Sequence, residues 1–567
     1  MTLSANVGSD RSSRRSQLLS SHDVAAASRG SASADYRRGP AAAVRSRPGV
    51  GAPAASARSA ATNFASRLDV YEGERDVRSA PALGSVPMST TALPSQSTDF
   101  PAWYGEVVRR AGLAENSSVR GAMVIKPYGY AIWEAIQREL DDRIKATGHE
   151  NLYFPVLVPA SVLAREGELV EGFAPEVAVV TEAGGKKLEE PLAVRPTSEA
   201  LIWSTYARWV QSYRDLPLLY NQWANVVRWE LRPRLFLRTS EFLWQEGHTA
   251  HETEEEALAE TLTILHDVYA DTIQSVLAIP VLRGRKSESE RFPGAVDTYT
   301  LEALMRDGKA LQAATSHYLG QGFARAFDVR YTGRDGSEQY PYATSWGATT
   351  RLVGGVVMTH GDDRGLRLPP RVAPHQVVIV PIVRDEDRAD VLEAATAVAD
   401  ELRAAAVRVR VDDRPEYRPG FKFNEWELKG VPLRIELGSR DLAAGVATVA
   451  RRDTGDKQQI PLSRAAVAID EMLGDVHASL FRSARDDRER RTLRDPRGYD
   501  ELIDYLRNAA GFVAAPWCGR RECEVRVKDD SSATIRCLPL NERPAQAGAC
   551  ACCGRSAVTA AVWAQAY

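Results

Sequence analysis

The chain has 567 residues, 44% of them apolar, and a formal net charge of −3 at neutral pH. That length suggests roughly three to four domains of about 150 residues each, and the balanced charge excludes a uniformly basic protein, so any nucleic-acid contact must come from local patches. No apolar run reaches the ~18 residues of a membrane helix, which speaks against a membrane partner. All six cysteines lie after residue 517; nothing earlier can form a disulfide framework, and a reducing, cytoplasmic setting fits.

Residues 1 to about 95 are rich in Ser, Ala, Arg, Gly and Pro, and residues 1–87 hold 12 Arg, no Lys and 7 acids. Such a composition buries too little apolar surface to offset chain entropy, so residues 1–95 read as a disordered, low-complexity extension. An Arg- and Ser-rich, acid-poor start is also the composition of an organelle transit peptide, but no amphipathic helix is legible in it. A third reading is an over-extended start, because Met88 is followed directly by chain that begins to look folded at Phe100. Disorder or a mis-set start fits the residues better than targeting does.

Residues 96–370 read as one mixed domain. "YGYAIWEAIQRELDDRIKATG" places Ile132, Ile136, Leu140 and Ile144 on one helix face, with Gly148 suited to its C-terminal cap. "NLYFPVLVP" predicts a strand, and Pro155 inside it predicts an edge, a bulge or an interface. "SEALIWSTYARWVQSY" predicts a helix. "LEALMRDGKALQAATSH" predicts a hairpin turning at Asp307–Gly308. "TSWGATTRLVGGVVMTHGDDRGLRLPP" predicts a turn, then a helix, then a loop.

The segment 226–248, "VVRWELRPRLFLRTSEFLWQEGH", carries a parity pattern. Arg228, Glu230, Arg238, Ser240, Phe242, Trp244, Glu246 and His248 are all even. Residues of one parity share a strand face, so if Pro233 marks a turn, two strands point polar and ring-bearing side chains to the same side of a sheet. A solvated face rarely carries Trp and Phe between charges; a floor that binds something anionic and flat does.

Residues 371–475 change to strand–helix–strand alternation: "HQVVIVPI", the amphipathic "EDRADVLEAATAVADELRAA", then "VRVRVDD", "VPLRIELG" and "GVATVARRD". This predicts a compact α/β domain. The charged run "RSARDDRERRTLRD" follows on a solvated helix, and the C-terminal segment 476–567 holds every cysteine. Cys518-x4-Cys523 and Cys550-x2-Cys553 frame a candidate site for a structural Zn²⁺, which takes four ligands in a tetrahedron. Cys537 and Cys552 compete for the roles.

An Arg-x-Glu strand, a loop and an Arg on the returning strand resemble motif 2 of class II aminoacyl-tRNA synthetases. "TTRLVGGVVMTHGDD" resembles motif 3, and the helix followed by "LYFPVLVP" resembles motif 1, which places Pro155 at a dimer interface. "RPTSEA", "VVRWE", "RTSEFLWQEGH", "LQAATSHYLGQ" and "SWGATTR", in that order, are similar to prolyl-tRNA synthetases of the archaeal and eukaryotic-like type, over residues 100–567. The resemblance implies a multidomain α+β and α/β fold: a class II catalytic domain on an antiparallel sheet, an α/β anticodon-binding domain and a small C-terminal zinc-binding domain whose ligands are the outer four cysteines. It implies a homodimer acting on L-proline, ATP with Mg²⁺, and tRNA(Pro), through prolyl-adenylate.

Site residues follow from the same resemblance. Arg228 would clamp the α-phosphate and the amino-acid carboxylate, and Arg351 would hold ATP near its γ-phosphate. Arg238 and Thr239 would assist around the nucleotide, Glu230 would accept from the adenine amino group, and Gln312 and Thr315 would line the nucleotide pocket. Thr197 and Glu199 would accept the two N–H bonds of the proline ammonium, Trp244 would wall the ring, and Glu246, His248 and His317 would fix the walls or touch the substrate. Arg434, Glu427 and Phe423 would read the adjacent guanines of a proline anticodon by hydrogen bonding and stacking. The chemistry needs no protein nucleophile, only positioning and neutralisation of charge. A non-catalytic RNA-binding relative would not need Arg228, Glu230 and Arg351 together. A threonyl-type enzyme would want a pocket Cys/His metal set, and no cysteine precedes Cys518. Only 123 positions separate Arg228 from Arg351, which leaves no room for the large editing domain of bacterial-type prolyl enzymes, so hydrolytic editing in cis is not expected.

Overall fold

The computed structural model describes residues 92–169, 177–509, 511–540 and 548–567. The expectations for the Arg- and Ser-rich segment 1–87 lie outside the described residues. Helix α1 (Phe100–Arg110) starts on the side chain of Asp99, which accepts from the backbone N–H of Ala102. Helix α2 (Pro127–Ala146) buries Ile132, Trp133, Ile136, Leu140 and Ile144, the face its periodicity predicts, and Gly148 just past its end takes the left-handed conformation.

The core is an eleven-stranded sheet. Its first seven strands, in chain order, are β1 (Glu150–Leu152), β2 (Leu218–Val227), β3 (Glu241–His251), β4 (Val281–Arg285), β5 (Asp297–Leu304), β6 (Ala310–Gly320) and β7 (Tyr342–Thr349). Antiparallel neighbours run β4-β5-β6-β7-β3-β2, and β1 adds in parallel at the edge. Helix α3 (Glu199–Trp209) precedes β2, and helix α4 (Arg351–His360) leaves the end of β7. α4 is buried along its length and packs with α1, α2 and the sheet in the largest hydrophobic cluster.

Three expectations are corrected here. "NLYFPVLVP" is not one strand: β1 ends at Leu152, and Leu157–Val158–Pro159 pairs instead with Lys186–Val194 in a separate three-stranded sheet. Pro155 has no N–H to give a ladder, and Phe154 beside it is taken by side chains, its N–H by Gln222 and its carbonyl by the buried guanidinium of Arg195. Tyr153 and Leu157, on either side of Pro155, are exposed. The expected turn before Arg351 is the strand β7, which fills the gap between β6 and β3. The helix over "SEALIWSTYARWVQSY" stops at Trp209, and a short 3-10 turn follows at Tyr213–Asp215.

The second domain is a five-stranded sheet: β8 (Val377–Ile382), β9 (Val409–Val411), β10 (Leu433–Gly438), β11 (Val446–Arg451) and β12 (Lys457–Pro461), ordered β9-β8-β10-β11-β12. Helices α5 (Arg388–Ala404) and α6 (Pro419–Leu428) supply the parallel crossovers. Helix α7 (Ala465–Arg490) is 26 residues long and buries Ile469, Met472, Val476 and Leu480 against this sheet; the charged run expected on a helix is its far end only as far as Arg490, and Thr492–Arg494 of that run is a strand instead.

The C-terminal segment is not a free-standing module. Strands β13 (Thr492–Arg494), β14 (Phe512–Trp517), β15 (Thr534–Pro539) and β16 (Thr559–Ala564), with helices α8 (Tyr499–Arg507) and α9 (Arg521–Ser531), continue the catalytic sheet. The join is β15 against β4, Leu538 opposite Arg285 and Pro539 opposite Gly284. A Cβ on Gly284 would stand 2.5 Å from the Cβ of Cys537 and 2.7 Å from the Leu538 carbonyl, so this close approach requires glycine.

Candidate active site

A cavity of about 450 Å³ opens over β3, β5, β6 and β7 and the loop that joins β2 to β3, a size suited to a small-molecule site. Every residue expected to contact ATP or proline lines it: Thr197, Glu199, Arg228, Glu230, Arg238, Thr239, Trp244, Glu246, His248, Gln312, Thr315, His317 and Arg351. The even-parity reading of β3 holds for Phe242, Trp244, Glu246 and His248. It fails at Ser240, whose Oγ accepts from the N–H of Glu230 and whose carbonyl accepts from the N–H of Arg228. Ser240 therefore shapes the loop between the strands instead of facing a ligand. Arg228 and Glu230 belong to that loop, because β2 ends at Val227.

At one end the cavity is cationic. Nε of Arg228 donates to the carbonyl of Pro196 at 2.9 Å, and its guanidinium lies 5.3 Å from the Trp244 ring and 5.6 Å from the Phe242 ring. Trp244 thus supports Arg228 as well as walling the pocket. Arg351, at the start of α4, reaches the carbonyls of Leu237 and Gln312. Glu230 stands 3.5 Å from Arg238, and Thr239 donates its hydroxyl to the Glu241 carbonyl. Burial, and then repulsion from Arg238 and Arg228, push the Arg351 guanidinium down to about 10. Like charges this close mark a place that an anion would relieve.

The opposite end is acidic and buried. Ligand atoms of Glu199, Glu246 and His248 lie within 4.8 Å of one another. Thr197 donates to Glu199, Ser198 and Gln222 donate to Glu246, and His248 Nε2 lies 3.0 Å from Glu246. Burial alone pushes the Glu246 carboxyl up and the His248 imidazole down. Their mutual hydrogen bond and charge, with the Glu199 charge acting on His248 and the Ser198 and Gln222 donors acting on Glu246, outweigh it, so Glu246 titrates below its ordinary value and His248 above. His317 is neutral: burial, then the charges of His248 and Lys286, push it down to about 3, and its Nδ1 meets Thr298 Oγ1 at 3.0 Å.

Several lining residues escaped the sequence reading. Glu290, Arg291, Phe292 and Pro293 come from the β4–β5 loop, and Phe292 packs on His317 with ring centroids 4.5 Å apart. Nothing local in "SESERFPG" signals a pocket wall. Arg195 was quoted within "RPTSEA" without a role; it is fully buried and bonds the carbonyls of Phe154 and Asn225, holding the loop that presents Thr197.

The residues expected to read an anticodon are only partly assembled. Arg434 on β10 lies 4.2 Å over the Phe423 ring of α6 and donates to Glu436. Glu427 instead pairs with Arg364 of the catalytic domain at 2.7 Å. The sulfurs of Cys518, Cys523, Cys550 and Cys553 lie within 4.8 Å of one another, with Cys518 3.5 Å from Cys523 and 3.7 Å from Cys553. Tetrahedral thiolates 2.3 Å from zinc stand about 3.8 Å apart, so the donor set fits the metal. The Cys553 thiol, helped first by the N–H of Arg555, is drawn down to about 7. Cys537 sits under Gly284 on β15, outside this group.

The comparisons with known proteins agree with this geometry. Residues 181–360 match the family model "tRNA synthetase class II core domain (G, H, P, S and T)", 376–472 match "Anticodon binding domain" and 499–567 match "Prolyl-tRNA synthetase, C-terminal". Proteins named "Proline--tRNA ligase" from Roseiflexus sp. and Chloroflexus aggregans are each 52% identical over 485 residues, covering 85% of this chain and all of each relative. A third, from Acetoanaerobium sticklandii, is 52% identical over 475 residues, covering 84% of this chain and 98% of its own length.

The buried Glu246–His248 pair generates a pH prediction. A carboxyl lowered in the folded state stabilises above its ordinary 4.5, and this is lost as pH falls through the folded value; an imidazole raised in the folded state stabilises below its ordinary 6.5, and this is lost as pH rises through the folded value. Breaking such a buried pair costs roughly 3 kcal/mol. The deficit of Glu246→Gln in chemical unfolding should therefore peak between pH 4.5 and 6.5 and shrink by pH 8.5; a deficit that grows with pH would refute the charged pair. With cavity, sheet and sequence relatives in agreement, the chain belongs to the prolyl-tRNA synthetase family of class II aminoacyl-tRNA synthetases.

Proposed function

We propose that this chain attaches L-proline to tRNA(Pro) in two steps. The carboxylate oxygen of proline attacks the α-phosphorus of ATP, a P–O bond to pyrophosphate breaks, and prolyl-adenylate forms. A ribose hydroxyl at the tRNA 3′ end then attacks the acyl carbon, and AMP leaves. The observation that carries this reading is one cavity with three arginines at one end and a buried Glu199–Glu246–His248 cluster at the other. Two anions must meet for the first step, and planar guanidinium groups hold phosphate and carboxylate oxygens without losing their charge. Arg228 would clamp both reacting groups. Arg351, Arg238 and Thr239 would hold the rest of the triphosphate, with Glu230, Gln312 and Thr315 around the nucleotide. Mg²⁺ would arrive with ATP, as it keeps much of its coordination on phosphate and water.

Thr197 and Glu199 would take the secondary ammonium of proline, with Glu246 and His248 behind them and Trp244 and His317 as walls. In the second domain, the Arg434–Phe423 pair supports a base-stacking contact, and Glu427 would join it by leaving Arg364. Cys518, Cys523, Cys550 and Cys553 would hold a structural Zn²⁺, which would tie α9 to the β14–β16 edge.

Proline-dependent ATP–pyrophosphate exchange, run against a panel of amino acids, tests the reading. Arg228→Ala should lower exchange by roughly 10²-fold or more, as lost transition-state contacts do, with the fold intact by circular dichroism. Activity within threefold of wild type would sink the assignment. For the metal, Cys550→Ser should abolish one bound zinc per chain while Cys537→Ser keeps it; the reverse result, or zinc-free wild type, would overturn the ligand set. The short interval between Arg228 and Arg351 supports activity without editing in cis. Labelled alanyl-tRNA(Pro) should therefore survive as long with the enzyme as in buffer; hydrolysis tenfold faster would contradict this.

A further inference from the structure

The β4–β5 loop forms one wall of the cavity, yet its outer side is held by the C-terminal extension. Lys286, buried at the start of the loop, donates to Glu302 on β5 and to the carbonyl of Arg536 on β15, both at 2.8 Å. Arg536 reaches the same Glu302 carboxylate through Nε at 3.1 Å. A carboxylate without solvent between two cations is a rigid node as long as both partners stay, and losing either one is expensive. Further along the loop, Ser289 donates its hydroxyl to Glu524 on α9, and Thr534 donates to Glu290, which also lies 3.9 Å from Arg536. Two residues on, Phe292 packs on His317 inside the cavity, and its N–H donates to Thr298, the same hydroxyl that meets His317.

Glu524 is informative in its own right. It is nearly buried, and while one carboxylate oxygen takes Ser289, the other, also buried, has no hydrogen-bond partner. A carboxylate kept in such a place costs free energy that a neutral side chain would not. Its one bond runs to the loop that carries Phe292.

We propose that the C-terminal extension positions the proline end of the active site: Glu524 and Arg536, far from the reacting atoms, act as positioning residues that hold segment 287–293 so that Phe292 and His317 close the amino-acid pocket. This rests on the reading of the cavity as a proline-activating site. Arg536 is the less useful variant, because its loss removes one of the two cations on buried Glu302 and would destabilise the join as a whole. The bond between Ser289 and Glu524 can be removed from either side: Ser289→Ala deletes the donor and leaves the Glu524 carboxylate without its bond, Glu524→Ala deletes acceptor and carboxylate together, and Glu524→Gln keeps an oxygen in place.

Steady-state pyrophosphate exchange is run with proline and ATP varied separately, on protein checked for equal zinc content. Ser289→Ala and Glu524→Ala should each raise the KM for proline about fivefold, the scale of one lost net hydrogen bond, with kcat and the KM for ATP within twofold. The double variant should be no worse than either single one, and Glu524→Gln should recover most of the loss. A proline KM that does not move, an equal rise in the KM for ATP, additive single effects, or zinc loss confined to Glu524→Ala would each overturn the proposal. Hydrogen exchange of the 287–293 amides, read on the same proteins without substrate, should speed up in both alanine variants, and unchanged exchange would overturn the clamp. That readout is independent of which amino acid is activated, whereas failure of the wild type to exchange on proline would sink the functional reading alone.

Discussion

Three guanidinium groups facing one cavity repel one another, and the fold must hold them there before any ligand arrives. Each is held by a different means. Arg228 is tied to the Pro196 carbonyl and backed by two aromatic rings; Arg351 starts a buried helix and bonds two carbonyls; Arg238 is balanced by Glu230. Charge prepaid in this way does not need to be reorganised when negative charge develops on a phosphate, which is the usual source of electrostatic catalysis. The sheet, the loop between β2 and β3, and the placement of α4 all serve that requirement.

The other end of the cavity works by the opposite rule. Glu199 and Glu246 are buried acids, and the fold gives them close donors: Thr197 for Glu199, and Ser198, Gln222 and His248 for Glu246. A small cation entering there meets fixed acceptors and little water. An amino acid laid between the two ends has its ammonium and its carboxylate drawn in opposite directions, so polarity alone orients it.

One wall of this site was legible because it lies on a single strand, β3, and strand parity is a local signal: Phe242, Trp244, Glu246 and His248 share a face for the same reason that their numbers are even. Parity broke at Ser240, and Arg228 and Glu230 reach the cavity from a loop whose hydrogen bonds follow no period. β7 was hidden because the helix start at Arg351 dominated the pattern beside it. Phe292 and Arg195 were not legible as site residues: the loop carrying Phe292 bonds to residues more than 200 positions away along the chain, and Arg195 is buried on backbone carbonyls and the Asn225 side chain. The continuity of the C-terminal strands with the catalytic sheet was equally hidden, since pairing between β15 and β4 spans about 250 positions and leaves no mark in either segment alone.

That distant pairing has a consequence for how the chain matures. A protein is made from its N-terminus, so β4 is complete long before β15 exists, and until then it is the outer strand of the catalytic sheet, with a free row of backbone donors and acceptors. Open strand edges of this kind recruit other chains, and contacts this remote in sequence form late. Buried Lys286 is suited to that interval: a lysine beside an unpaired edge discourages wrong partners while it waits, and the arrival of Arg536 and its carbonyl turns the same side chain into part of a closed network. Strand β15 thus acts as the seal on a sheet begun much earlier, and a nascent chain that stops short of it carries an unsealed, aggregation-prone edge.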